Sequence, residues 1–224
     1  MAEVPDPALS AVEWEQSSRS RSLVYGWFST LYAAEVSRPM LKAYLAGEAA
    51  SLFDCLADAG MGADVGRLKI AIDALRDVPH AHLELAADFA QLFLLDAEAG
   101  ALPYASAYDK EHLQLYGPAE ARMRAFLVTE LLVVRDEFKE PADHLAIYLS
   151  LMARFAEQDA STDNRPLAAR NQADFLQQAL LSWLPSFVSR NMQASPRFDF
   201  YPALAALLVG FVEHDARFVR ELTE

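Results

Sequence analysis

Cysteine is almost absent from this chain. The single Cys55 rules out an internal disulfide, and its place in the apolar stretch 51–56 predicts a buried thiol rather than a nucleophile. Glycine is scarce as well, 8 in 224 residues, which argues against tight hairpins and long loops. No apolar run is long enough to span a bilayer; the most apolar segment, 203–212, falls well short of the roughly 20 residues required. Residues 1–10 carry acids and prolines where an export signal needs basic residues and then an apolar run, so the expected compartment is the cytoplasm. Basic residues are outnumbered: 19 Lys and Arg stand against 32 Asp and Glu, a formal charge of −13. That balance excludes a protein that tracks a phosphate backbone. It favours a basic partner, although solubility alone accounts for acidity equally well.

The common catalytic signatures are missing too. No serine lies in a Gly-x-Ser-x-Gly elbow, and there is no phosphate loop. Gly60, Gly62 and Gly66 have the wrong spacing for a dinucleotide site, with no strand before them. The five histidines are His80, His82, His112, His144 and His214, and none belongs to a Glu-x-x-His pair of the kind that builds a di-iron site in a helical bundle. No metal and no cofactor is expected, and the chain reads as a protein that is not an enzyme.

What is present is helical periodicity. Leu23, Trp27, Phe28, Leu31 and Tyr32 recur at three- and four-residue steps and predict a buried helix face. Ser37-Arg38-Pro39 ends that helix, and Pro39 can open the next. Gly60 to Gly62 divides a helix with Phe53 and Leu56 from one with Leu68, Ile72 and Leu75. Pro79 opens another, with Leu83, Phe89, Leu92 and Phe93 on one side. Residues 96–106 have no helical period and contain Gly100 and Pro103, which predicts a loop. Gly117-Pro118 precedes a helix with Met123, Phe126, Leu127, Leu131 and Val134. The charged stretch 135–143 reads as a hinge, and helices over 145–155, 166–184 and 200–222 follow, the last two separated by a break at 183–187. The fold class is all-α: a two-part helical bundle with an N-terminal part over 1–134, a hinge over 135–143 and a C-terminal part over 144–224.

Two places break the local rules. In Leu102-Pro103-Tyr104-Ala105-Ser106-Ala107-Tyr108 a proline and two tyrosines offer rigid amphipathic contact surface, unless the tyrosines pack back on the core. In Glu140-Pro141-Ala142-Asp143-His144 the proline holds Glu140 extended. Asp143 and His144 then put an acceptor and a titratable ring at a helix start. The plain reading is an N-cap by Asp143. A catalytic reading, Asp143 and His144 as an acid–base pair acting on a small molecule, needs a third polar group and a closed pocket.

These same places resemble the TorD-like family of redox-enzyme maturation chaperones, which includes the DmsD and NarJ branches. The matching pieces are Phe89-Ala90-Gln91-Leu92-Phe93, the Leu102 to Tyr108 loop, and Glu140 to His144 followed by Leu149 and Met152. Arg21-Ser22-Leu23-Val24-Tyr25-Gly26-Trp27-Phe28-Ser29-Thr30-Leu31-Tyr32 and Tyr44-Leu45-Ala46-Gly47-Glu48 are most similar to the TorD branch. Each motif is weak alone, and the three in order are specific. Phe89 and Tyr104 stand where the DmsD branch carries tryptophan.

The resemblance implies a cytoplasmic chaperone that binds the twin-arginine signal peptide and the apo form of a molybdopterin oxidoreductase. It would aid cofactor insertion before export, with trimethylamine N-oxide reductase the first expected client and dimethyl sulfoxide or nitrate reductase the alternatives. It assigns signal-peptide binding to Phe89, Leu92, Pro103, Tyr104, Asp143 and His144. It also implies a monomer able to form a domain-swapped dimer. Guanine nucleotide is associated with the TorD branch, but no stretch of this chain resembles a nucleotide loop. Such a leader, basic at its start and apolar in its middle, is what an acidic protein with an apolar groove would complement.

Overall fold

The computed structural model describes residues 9–95, 100–109, 117–130, 132 and 138–223. Ten α-helices lie among them, and the only β feature is an isolated antiparallel bridge between Tyr104 and His144. None of the described helices is long and apolar enough to cross a membrane.

Local signals set most helix ends. Helix α1 (Ala11–Ala33) opens on a capping box: the Ser10 hydroxyl accepts from the Glu13 N–H, and the Glu13 carboxylate accepts from the Ser10 N–H. The Ser37 hydroxyl caps α2 (Arg38–Leu45), with Pro39 in its first turn. Helices α3 (Ala50–Leu56) and α4 (Gly62–Asp73) meet across a π turn, Ala57–Met61, where Gly60 adopts φ +92°. An L side chain is strained at that φ, so this is a position where glycine is needed. Helix α5 (Ala81–Ala90) runs on as a π turn, Gln91–Leu95. A 3₁₀ turn at Ala105–Tyr108, α6 (Pro118–Thr129) and α7 (Leu145–Asp159) follow. Helix α8 (Arg165–Asp174) widens into a π segment, Phe175–Leu180, before α9 (Leu184–Gln193) and α10 (Phe200–Glu221).

The helices depart from the sequence reading in several places. Leu23 is 74% exposed. The buried stripe of α1 is Trp14, Ser18, Arg21, Val24, Tyr25, Phe28, Leu31 and Tyr32, so the helix is rotated to carry two polar residues inward. Leu83 also faces out, at 59%, while Leu85 joins Phe89 and Phe93 inside. Cys55 is exposed, because Phe53 and Leu56 take the inner face of the short α3 and leave Cys55 on the other. The expected break at 183–187 is instead the start of α9: Pro185 lies in its first turn, where the missing N–H costs nothing. Residues 131 and 133–137, which hold Leu131, Val134 and the first part of the expected hinge, lie outside the described residues, as do 96–99 of the expected loop and His112.

Helices from both sides of the 135–143 stretch share one hydrophobic core. Helix α1 lies along α7, and α10 packs on α4, α8 and α9. Helix α10 is buried on most of its circumference over 200–208, the mark of a central helix.

One buried polar network crosses this core. The Arg21 guanidinium donates to both Asp215 oxygens, at 2.5 and 3.0 Å, and to Gln172 Oε1 at 2.7 Å. The Tyr25 hydroxyl donates to Asp215 at 2.6 Å, and Gln172 Nε2 donates to Asp159 at 2.7 Å. Arg21, Gln172 and Asp215 are all buried, and Arg21 also lies against the Phe218 ring. Burial alone would lower the guanidinium's pKa; the charge and hydrogen bonds of Asp215 outweigh that and hold it above its ordinary value. Removing one partner leaves the other charge buried without compensation. Asp215→Ala is therefore expected to cost about 3–5 kcal/mol, read as a fall in the denaturation midpoint. Arg21→Met combined with Asp215→Leu should recover most of that loss, and simple addition of the two single losses would contradict the ion-pair account.

Candidate functional site

The loop 100–109 is stitched to the start of α7. The Leu145 N–H donates to the Pro103 carbonyl at 2.7 Å, and the Ala105 N–H donates to the Asp143 carbonyl at 3.1 Å. The Asp143 carboxylate accepts from the Ser106 N–H at 2.8 Å. Tyr104 donates through its hydroxyl to Glu140 at 2.5 Å. Its ring meets the His144 imidazole edge-on at 5.1 Å, and Phe138 meets the same imidazole at 5.2 Å. Pro103, Tyr104, Asp143 and His144 thus form one knot, and all four are buried. Both tyrosines of the loop pack inward: Tyr104 is buried in the knot, and Tyr108 stacks on Trp183 at 5.8 Å.

The N-cap of α7 is His144, not Asp143. Nδ1 of His144 accepts from the Ala146 N–H at 3.1 Å, while Asp143 reaches across to cap the 3₁₀ turn of the loop. The two side chains therefore serve different backbone amides and do not bond to each other. Asp143 Oδ1 and Ser106 Oγ are buried without a hydrogen-bonding partner among the described residues. Burial pushes the His144 pKa down to about 4, so the ring is neutral at pH 7. A buried, neutral, cap-engaged histidine is a poor proton shuttle, and the acid–base reading gains no support from this geometry.

Phe89 and Leu92 sit one step away, in the aromatic core. Phe89 packs edge-on against Phe93 at 5.0 Å and Tyr201 at 5.6 Å. Leu92 is fully buried, and its carbonyl accepts from the Ala101 N–H at 2.7 Å, which anchors the start of the loop.

Beside the knot opens a cleft of about 980 Å³ between α6, α7 and α8 with its π segment. Ala105 and Tyr108 of the knotted loop form part of its wall. Its floor is a run of rings: Phe126, Phe155 and Phe175 meet one another at 5.4–6.1 Å, and Tyr148 continues the run to Trp183 at 5.5 Å. Desolvation raises the Tyr148 pKa, and the charge of Asp143 behind it raises it further. Among the described residues, Asp109, Glu130, Asp159 and Asp174 line the cleft, against one cation, Arg122. An aromatic floor under an acidic rim suits an apolar segment flanked by positive charge. The six residues named from the sequence lie behind this surface rather than on it. The rings of α6 to α8 carry no motif in the sequence, because large rings at helical spacing are ordinarily core residues. The signal that could have found them is the recurrence of large rings beside acids: Phe155 with Asp159, and Asp174 with Phe175.

The family model for the nitrate reductase delta subunit matches residues 56–189, which take in the loop, the knot and the described residues that line the cleft. The chain belongs to this family. Relatives are similar along nearly the whole length. One, named Chaperone protein TorD, from Psychrobacter sp., is 35% identical over 215 residues, covering 95% of this chain and 97% of its own. Proteins of the same name from Actinobacillus pleuropneumoniae serotype 7 and Vibrio cholerae serotype O1 are 38% and 36% identical over 200 and 211 residues, covering 89% and 92% of this chain and 96% and 95% of their own. The family resemblance read from the motifs therefore holds, and the all-helical fold agrees with it.

The knot carries a pH dependence. The folded His144 pKa of about 4 lies below the ordinary value of 6.5, so between those limits the unfolded chain binds a proton that the folded chain refuses. Stability from this residue is complete above pH 6.5 and falls as the pH drops toward 4. The loss amounts to on the order of 3 kcal/mol. His144→Asn keeps a capping acceptor and removes the titrating ring. Urea denaturation at pH 7 and pH 4.5 should show a smaller acid loss in that variant than in the parent, and equal losses would place the acid sensitivity elsewhere.

Proposed function

We propose that this protein is a cytoplasmic maturation chaperone for a molybdopterin oxidoreductase, first among them trimethylamine N-oxide reductase. It binds the client's twin-arginine leader and apo form and holds them until the cofactor is inserted and export can begin. It acts by binding rather than by catalysis. The observation that carries this reading is the acidic, ring-floored cleft in a chain whose relatives bear the name Chaperone protein TorD. The description of the matching family favours nitrate reductase as the alternative client.

The physical steps follow from the cleft's two surfaces. The rim draws in the basic start of the leader, since the whole chain carries a formal charge of −13. The rings then bury its apolar middle, each large apolar side chain contributing about 1.5–3 kcal/mol before ordering costs are subtracted. A few such anchors suffice for roughly micromolar affinity. Leu92, Pro103, Tyr104, Asp143 and His144 contribute by fixing the loop whose Ala105 and Tyr108 complete the wall, and Phe89 supports Phe93 and Tyr201 in the core behind it.

Calorimetry with a leader peptide, and with the same peptide made polar in its middle, tests the reading. Binding is expected for the first and lost for the second, and equal affinities would reduce the interaction to charge attraction. Asp143 variants probe the wall on the same peptide. Asp143→Ala strands the buried Ser106 N–H, which costs about 1–3 kcal/mol of stability, and it should weaken the peptide. Asp143→Asn retains an acceptor and should leave both nearly intact. A strong binding defect in Asp143→Asn with an unchanged melting temperature would instead assign the carboxylate's charge a direct contact.

The 144–224 part is proposed to exchange between two copies, since its helices pack on α1 and α4 and an exchanged copy could make the same contacts. Size-exclusion chromatography at high concentration after mild acid exposure should give a dimer alongside monomer. Monomer alone would contradict the exchange.

A further inference from the structure

Four carboxylates among the described residues line the cleft, and they are not equivalent. Glu130 and Asp174 are exposed side chains that must be ordered before they can hold anything. Asp159 is only partly exposed, and it is held from two sides. Its carbonyl accepts from the Trp14 indole N–H at 2.8 Å, and its Oδ2 accepts from Gln172 Nε2 at 2.7 Å. Gln172 is itself 1% exposed and fixed by Arg21, whose charge is committed to Asp215. The relay therefore orients the Asp159 carboxylate through a neutral amide: it feels the Arg21 charge at a distance, and among the described residues no cation pairs with it directly. Asp159 is also the last residue of α7, where the helix dipole adds negative potential. Phe155 lies one turn earlier on the same face, with Phe175 at 5.4 Å from it.

We infer that Asp159 is the anchor for a guanidinium group of the bound leader, which donates to its carboxylate while lying against the Phe155–Phe175 rings. This rests on the leader-binding reading and goes beyond it by naming the atom that selects arginine. A planar guanidinium can stack on a ring and donate in the same plane, whereas a compact, strongly hydrated ammonium cannot do both equally well. The carboxylate is ordered before the ligand arrives, so less entropy is lost on binding than at the exposed rim acids. The subsite therefore prefers arginine to lysine, and the rim as a whole supplies only general attraction.

The test uses the full chain and three synthetic leader peptides that share one apolar middle and carry Arg-Arg, Lys-Lys or Gln-Gln at the basic position. At physiological salt the parent should bind the arginine peptide roughly tenfold more tightly than the lysine peptide, the weight of one charge-assisted hydrogen bond. Asp159→Asn should erase that preference, while Glu130→Gln and Asp174→Asn retain it. Asp159→Glu keeps the charge but displaces it, and it should lose the preference too, which guards against a variant that melts early. A preference that survives in Asp159→Asn overturns the anchor and leaves the leader-binding reading standing. Failure of the parent to bind any of the three peptides takes down both.

Discussion

The buried ion pair between Arg21 and Asp215 ties the first helix to the last. Two charges removed from water are costly, and only close geometry with further hydrogen bonds repays them. Here Tyr25 and Gln172 supply those bonds. The consequence is directional. The pair admits one rotation of α1, the one that turns Leu23 outward and Ser18 inward, and that rotation lets α1 lie along α7. Through Gln172 the same network reaches Asp159 at the end of α7, so the core's polar spine ends in the wall of the cleft.

The cleft depends on a second fastening. The knot of Pro103, Tyr104, Asp143 and His144 uses main-chain bonds and one buried carboxylate to hold a loop built around a short 3₁₀ turn. Its residues are hidden, yet the wall made by Ala105 and Tyr108 stands only because they are there. Work is divided between these supports and the cleft, whose floor sets the half-buried Phe126 and Phe155 over the more deeply buried Phe175, Tyr148 and Trp183. This is why the most distinctive motifs of the chain and the surface open to a ligand are different residues.

Much of the fold was legible in the sequence because capping and proline signals are local. Ser37 with Pro39, Gly60, and Gly117 with Pro118 mark helix boundaries that the structure keeps. The failures are tertiary. Hydropathy put Leu23 inside because it cannot see that Arg21 will find Asp215, 194 residues away. Pro185 read as a break because proline both ends and begins helices, and only its neighbours in space decide which. At the site, the motifs drew attention to Asp143 and His144, and their adjacency suggested joint chemistry. Their partners, Ser106 and Ala146, send them to separate tasks. The cleft itself was illegible, since Phe126, Phe155 and Phe175 look like core residues until three helices are set around an open space.

The central claim is that the leader's apolar middle lies on the ring floor between α6, α7 and α8. Photo-cross-linking measures this directly, with a leader peptide carrying a photoreactive side chain in its apolar stretch and the adducts mapped by mass spectrometry. The account predicts adducts on Met123, Phe155, Phe175 and their immediate neighbours, suppressed by excess unlabelled leader. Competable adducts concentrated instead on α2 to α4, away from these rings, would contradict it.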